Sequence, residues 1–252
     1  MPLRSRWLLL SSLATLLLCS TAVAAQSPSP PNSGARHSEE HIGDLHYLVD
    51  IKPATLDPAW GKLQQAVDGY AAAQRSQFLD AVTQASKQHA GGSWALEMEF
   101  SIAAQTQRFV TVVVLGDTET GKPHPAPITD SFSYDLQKQQ MLELSDLFTS
   151  FPAAEAALTD KARAQLMAKL KPGKHHRGLS SSPALIRDGT QVGKHRLQLF
   201  APIVHKDHLA HGLSLIFPPG QVTSPEAGLQ SVDVPTSVFA RWLKPEYRDA
   251  FH

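Results

Sequence analysis

An α+β protein is expected, with antiparallel sheets, two main packing helices and two closely packed α/β subdomains. Two long segments repeat apolar residues at helical spacing, and a series of short ones alternates as strands do. These run in the order β-α-β-β-β and then α-β-β-β-α, a grouping that belongs to antiparallel sheets.

Residues 1–24 read as a secretory signal. Arg4 and Arg6 form a basic start, Trp7 to Leu18 an apolar stretch, and Ala22-Val23-Ala24 a cleavage site before Ala25. The apolar stretch is too short to span a bilayer, and no later window is apolar enough, so no transmembrane segment is expected after cleavage. Cys19 is the one cysteine and follows Leu17-Leu18, where a lipid-attachment site needs a small residue. Cleavage at Ala25 is therefore expected in preference to lipid anchoring, and the product is placed in the periplasm. Without Cys19 the mature chain has no disulfide and no thiolate chemistry. Its 23 basic and 23 acidic residues balance, and losing Arg4 and Arg6 leaves it mildly acidic, so nucleic acid is not an expected partner.

Residues 25–44, rich in Pro, Ser and charge, read as a flexible tether. Order is expected from Leu45, in a subdomain covering residues 45–141. His46 to Ile51 alternates as a strand. Asp57 reads as an N-cap with Pro58 at the first helical position. Trp60, Leu63, Val67, Tyr70, Phe78 and Val82 then recur at helical spacing until Gly91-Gly92. Trp94 to Ser101 alternates with one wet face. Phe109 to Leu115 is β-branched and apolar on both faces, which places it centrally. Ile128 to Leu136 returns to alternation, and these last three strands make an antiparallel meander.

The second subdomain covers residues 142–252. Ala154, Leu158, Ala162, Leu166 and Leu170 form a ridge on a helix from Pro152, which Pro172-Gly173 ends. A polar loop over residues 171–183 leads to strands at Leu197–Val204, Leu213–Phe217 and Leu229–Val234. A short helix from Pro235 to Leu243 closes the fold.

The stretch GKPHPAPITDSFSYDLQKQQMLELSDLF, residues 121–148, carries a family resemblance. Its Leu144-Ser145-Asp146-Leu147-Phe148 corner resembles the L-S-D-L-F of the RsiV/PdaC family of extracytoplasmic domains. The family's G-A-H-P loop is here Gly121-Lys122-Pro123-His124-Pro125, with one more residue between Gly and His. Gly212 to Pro218, Ala227-Gly228 and Val232 to Pro235 follow in the family's order, so the likeness covers roughly residues 45–243. That domain forms the extracellular half of a lysozyme-responsive anti-sigma factor and precedes some peptidoglycan deacetylase domains. The resemblance implies recognition of a cell-wall-related partner, with lysozyme-type muramidases as the specific case, and no cofactor. This chain lacks the anti-sigma factor's sigma-binding segment, so it would bind, buffer or inhibit. Two alternatives stand beside this: a peptidoglycan-modifying enzyme with an unidentified acidic or metal site, and a structural envelope protein.

Gly121, Pro123, His124 and Pro125 are the candidate partner-binding residues, because prolines stiffen the loop and lower the entropy lost on docking. Ser145, Asp146 and Phe148 are read as a structural corner, with Asp146 accepting main-chain N–H groups. His205, His208 and His211 form H-x-x-H-x-x-H, the candidate metal ligands. On a helix this spacing gathers imidazoles, but in a strand end a step of three alternates faces, so no metal is expected. Ser93 in Gly91-Gly92-Ser93-Trp94-Ala95 opens a strand, the wrong context for a nucleophile elbow. Glu97 and Glu99 share the wet face of one strand, roughly 7 Å apart by strand geometry, and are read as solvated carboxylates.

Overall fold

The computed structural model describes residues 36–89, 91–169, 182–194 and 196–252. The signal segment, the start of the tether and most of the 171–183 loop lie outside the described residues. Residues Ser33–His252 form one compact unit.

Among the described residues, nine strands build two sheets. β1 (Arg36–Ile42), β2 (Leu45–Lys52), β3 (Trp94–Gln105), β4 (Phe109–Thr120), β5 (Ala126–Asp135) and β6 (Gln140–Met141) form a six-stranded sheet in sequence order. β7 (Phe200–Val204), β8 (Ala210–Phe217) and β9 (Gln230–Pro235) form a three-stranded antiparallel sheet. The helices are α1 (Gly61–Lys87), α2 (Phe151–Lys169) and α3 (Pro183–Gly189). The fold is therefore α+β, with α1 on the large sheet and α2 on the small one.

Four local expectations are corrected. Arg36–Ile42, read as tether, is a strand paired antiparallel with β2 across a two-residue Gly43-Asp44 turn. Gly43 has φ +62°, which suits such a turn. This polar strand is held from outside: Tyr47 Oη donates to Glu40 Oε2 at 2.7 Å, and Arg75 lies 3.6 Å from Glu40. Burial and then the Glu40 bond push the Tyr47 phenol up to about 12. Second, β2 and β3 are parallel, because α1 carries the chain back over the sheet before β3 begins. Every other pair in that sheet is antiparallel. Third, Asp57 caps a turn ahead of the helix. Its Oδ1 accepts the Ala59 N–H at 2.8 Å, and α1 starts only at Gly61. Fourth, the stretch after Pro235 makes separate 3-10 turns at Thr236–Val238 and Ala240–Trp242, since Leu243 leaves helical geometry to bridge Phe148.

β4 explains why the two halves pack closely. Val110, Val112 and Val114 face α1 and join the first core with Leu63, Val67, Val82, Leu96 and Met98. Phe109 points the other way and joins the second core with Leu158, Leu166, Leu213 and Phe217. Val112 is fully buried and Val113 is 7% exposed, as a strand apolar on both faces requires. Ala154, Leu158, Ala162 and Leu166 are all fully buried, so the i+4 ridge is the packing face of α2.

The outer face of the large sheet is polar where it meets the small one. Thr111 Oγ1 and Ser133 Oγ are 2.8 Å apart, and the Phe200 N–H donates to Ser131 Oγ at 3.2 Å. At the sheet end, Arg108 Nη2 lies 2.9 Å from Asp135 Oδ2, and Asp135 is fully buried. Asp135 Oδ1 also accepts the N–H groups of Gln137 and Lys138 at 2.9 and 3.0 Å. The Arg108 guanidinium lies 5.1 Å from the ring centroid of buried Tyr247, and Lys138 Nζ donates to Tyr247 Oη at 3.0 Å.

Breaking one partner of a buried ion pair strands the other charge. Asp135→Asn is expected to cost about 3 kcal/mol in denaturant unfolding. A double change, Arg108→Met with Asp135→Asn, removes the stranded cation while keeping an Oδ1 acceptor for Gln137 and Lys138, and is expected to recover most of that loss. Equal losses in both variants would show that the charge pair is not what holds this end together.

Candidate functional site

Gly121 to Pro125 form the tip of the β4–β5 hairpin and are exposed throughout. The tip is pinned at its base. Gly121 donates its N–H to the Ser93 C=O at 2.9 Å and has φ +69°, with the Gly91 carbonyl and the Trp94 ring where a Cβ would sit. Pro123, Pro125 and Pro127 fix φ on either side of His124, so the imidazole is presented by a stiff backbone. Nearby is Glu226, on the loop between β8 and β9. Its own main-chain N–H is the chief influence holding the Glu226 carboxyl below the usual range, and the His124 imidazole adds a smaller share.

Farther along β5 a cleft of about 550 Å³ opens between the two halves of the fold. Asp130, Ser131 and Phe132 of β5 form one wall, Glu143 and Met141 the floor, and Phe151 and Glu155 of α2 the far side. Asp130 occupies an inward register position between Ile128 and Phe132, beside Tyr70 of α1. Burial pushes its carboxyl above the ordinary value, although its Oδ1 accepts the Ser131 N–H at 2.8 Å. Tyr70 packs edge-on to Phe132 at 5.3 Å, and its phenol is raised by burial and then by the Asp130 charge. Glu155 is 5% exposed, and both its oxygens share the single N–H of Gly193 at 3.1 Å.

The Leu144–Leu147 corner is a 3-10 turn bordering this cleft. Asp146 Oδ2 accepts the Glu143 N–H at 2.9 Å, and Ser145 Oγ donates to Glu143 Oε2 at 3.4 Å. Phe148 is buried between Phe151, at 6.3 Å, and Phe239, at 5.8 Å. Ser145 thus lines the cleft while Phe148 turns into the second core.

The histidines lie at the other end of the small sheet, in the β7–β8 hairpin. His205 and His211 stack with ring centroids 4.0 Å apart and planes 18° apart. His211 Nε2 lies 2.7 Å from Asp207 Oδ2, and the His252 ring is edge-on to His211 at 5.2 Å. His208 sits in the turn at φ +58°, where its C=O accepts the Gln107 N–H. One His211 ring nitrogen is thus already engaged by a carboxylate. Among the described residues no group of three or more His, Cys, Asp or Glu is placed to hold a metal ion. Ser93 precedes β3 on the surface, and Glu97 and Glu99 are exposed, with Glu99 3.9 Å from Lys52.

Asp130 and Glu155 escape a reading based on motifs. Asp130 carries one local signal, a charge in the inward register of an otherwise alternating strand. Glu155 carries none, since α2 shows only its apolar ridge.

An α+β domain of this topology recurs among solved structures. A DUF3298-family member from Bacteroides fragilis NCTC 9343 aligns with a TM-score of 0.58 at 16% identity, covering 84% of this chain and 92% of the other. A DUF3298-family protein from Pseudomonas aeruginosa PAO1 aligns at 0.54, also with 16% identity, covering 84% and 93%. At these identities the likeness is one of fold. In sequence, the peptidoglycan-N-acetylmuramic acid deacetylase PdaC of Bacillus subtilis (strain 168) is 24% identical over 188 residues, 75% of this chain. The match spans 38% of that protein's length. No family model matches the chain. Among the described residues no helix is long and apolar enough to cross a membrane.

Two outcomes are expected. Burial favours the protonated form of Asp130, so its contribution to stability is full below pH 3.8, the ordinary value of the group, and is lost as pH rises through its folded pKa. Asp130→Asn should therefore raise the melting temperature at pH 7, with the gain fading below pH 3.8. A constant gain at every pH would mean that burial of the charge is not the cause. For the histidines, protein purified without an affinity tag should carry well under one equivalent of zinc, and chelator should leave its melting temperature unchanged. Stoichiometric zinc lost on changing His205, His208 and His211 to Ala would reverse that assignment.

Proposed function

We propose that this chain is an exported, periplasmic binding domain, without catalysis of its own, that recognises a cell-wall-related partner. Lysozyme-type muramidases are the specific case. The observation that carries the reading is the sequence match to PdaC, a protein named for action on peptidoglycan, over three quarters of the chain. The likeness of the residue 121–148 stretch to the RsiV/PdaC family points to the same partner class. In this reading the His124 loop is the contact surface. It is exposed, pinned at Gly121 and stiffened by three flanking prolines, so it docks with little loss of entropy. In this reading residues 45–141 and 142–252 are two closely packed subdomains behind a signal at 1–24 and a tether whose last part is β1.

The cleft supports a second reading, a peptidoglycan-modifying enzyme, because it gathers carboxylates in a concave site. It ranks second because no hydroxyl among the described lining residues is hydrogen-bonded to an imidazole.

The test is binding of muramidases to the purified chain. Exchange of Gly121–Pro127 for a Gly/Ser loop of equal length should weaken binding at least ~30-fold, about 2 kcal/mol, with the melting temperature unchanged. Undiminished binding would move the surface to the loop between β8 and β9. No binding to any muramidase up to about a millimolar, a free energy of only ~4 kcal/mol, would remove the muramidase reading.

A further inference from the structure

Among the described residues, the open edge of β5 has no strand beside it for much of its length. β6 pairs only with Tyr134 and Asp135, and the Leu142 N–H reaches one residue farther, to the Ser133 C=O at 2.8 Å. Main-chain groups in an antiparallel strand point alternately to its two neighbours. Because Ser133 turns its carbonyl towards β6, Ser131 and Thr129 turn theirs the same way, away from β4. Past the end of β6 Ser131 lines the cleft, and Thr129 continues the same edge just beyond it. The Ser131 N–H is held by the Asp130 side chain at 2.8 Å, which leaves the Ser131 C=O and both main-chain groups of Thr129.

An unpaired edge is a template for another strand unless something blunts it. The register of β5 against β4 runs without a bulge from Ala126 to Asp135; Pro127 blunts only the hairpin end of the open edge, and no lysine interrupts the rest. The walls add selectivity. Phe132, Met141 and Phe151 give apolar contact, while Asp130, Glu143 and Glu155 line the same space, with no Lys or Arg among the described lining residues. Glu155 is 5% exposed and, among the described residues, its two oxygens share the one Gly193 N–H, which leaves acceptor capacity for a cation. A buried carboxylate is normally matched by a cation.

We infer that this edge is a docking site for an extended peptide that adds a strand to β5 and places a lysine or arginine against the cleft carboxylates. Main-chain bonds to Thr129 and Ser131 supply affinity, and the pockets for alternate side chains supply choice. The site is separate from the His124 loop and does not depend on the muramidase reading.

The probe is a phage-displayed library of random heptapeptides selected against the folded chain. Enriched sequences should alternate β-branched or aromatic residues with a lysine or arginine at a fixed position. In a synthetic representative, replacing the cation with norleucine should weaken binding at least ~10-fold. N-methylation at alternate amides should do the same, and at the intervening amides should not. In the protein, Thr129→Pro puts a ring on the open edge without removing a ladder bond to β4, and should abolish binding at unchanged melting temperature. If that variant unfolds, the N-methylation pattern alone decides. No enrichment, or binding that ignores both the cation and alternate N-methylation, would overturn the inference.

Discussion

The contact between Arg108, Asp135 and Tyr247 is the constraint that ties the chain's two cores into one unit. Asp135 ends β5, Arg108 precedes β4, and Tyr247 comes from the last turn of the chain. A fully buried carboxylate at this point would be costly alone. Here it is matched by a guanidinium and two main-chain N–H groups, and the cation rests near an aromatic ring. The geometry fixes the angle at which the C-terminal segment crosses the sheet. Phe109 and Phe251, 5.7 Å apart, then seal the apolar side of the same junction.

Given that anchor, the rest of the outer sheet face divides into two zones. Near Arg108 the face is covered, with Thr111, Ser131 and Ser133 bonding to one another or to Phe200. Away from it the face is wet and acidic, where Asp50, Glu97 and Asp117 stand in register on three neighbouring strands. The candidate surfaces fall along β5 because that strand passes from the exposed hairpin tip, past the cleft, to the buried end. One strand thus carries recognition and cohesion at different points along its length.

The parts of the fold legible in the sequence are those fixed by local periodicity. The alternation of Trp94 to Ser101, the valine run of β4 and the i+4 ridge of α2 each state which face is buried. What periodicity cannot state is direction, so the parallel pairing of β2 with β3 was not readable. Nor was β1, whose residues are mostly polar and whose order comes from pairing with β2, the Tyr47 bond to Glu40 and the distant Arg75. The His124 loop was legible because prolines and glycine act on their own backbone. The cleft was not, because its walls come from residues 130 to 200 and exist only once both halves have packed.

The parallel seam has a kinetic meaning. β1 with β2, and β3 through β6, are each sets of neighbours joined by short turns, and such pairings form early because their loops close cheaply. Leu48 and Ala95, by contrast, meet only after the whole of α1 has been laid down and docked. On loop-closure grounds the sheet is assembled from two prefabricated pieces, and the helix sets the pace at which they meet. The N-terminal hairpin is then a late arrival, and its departure would leave behind a meander that already has its own central strand.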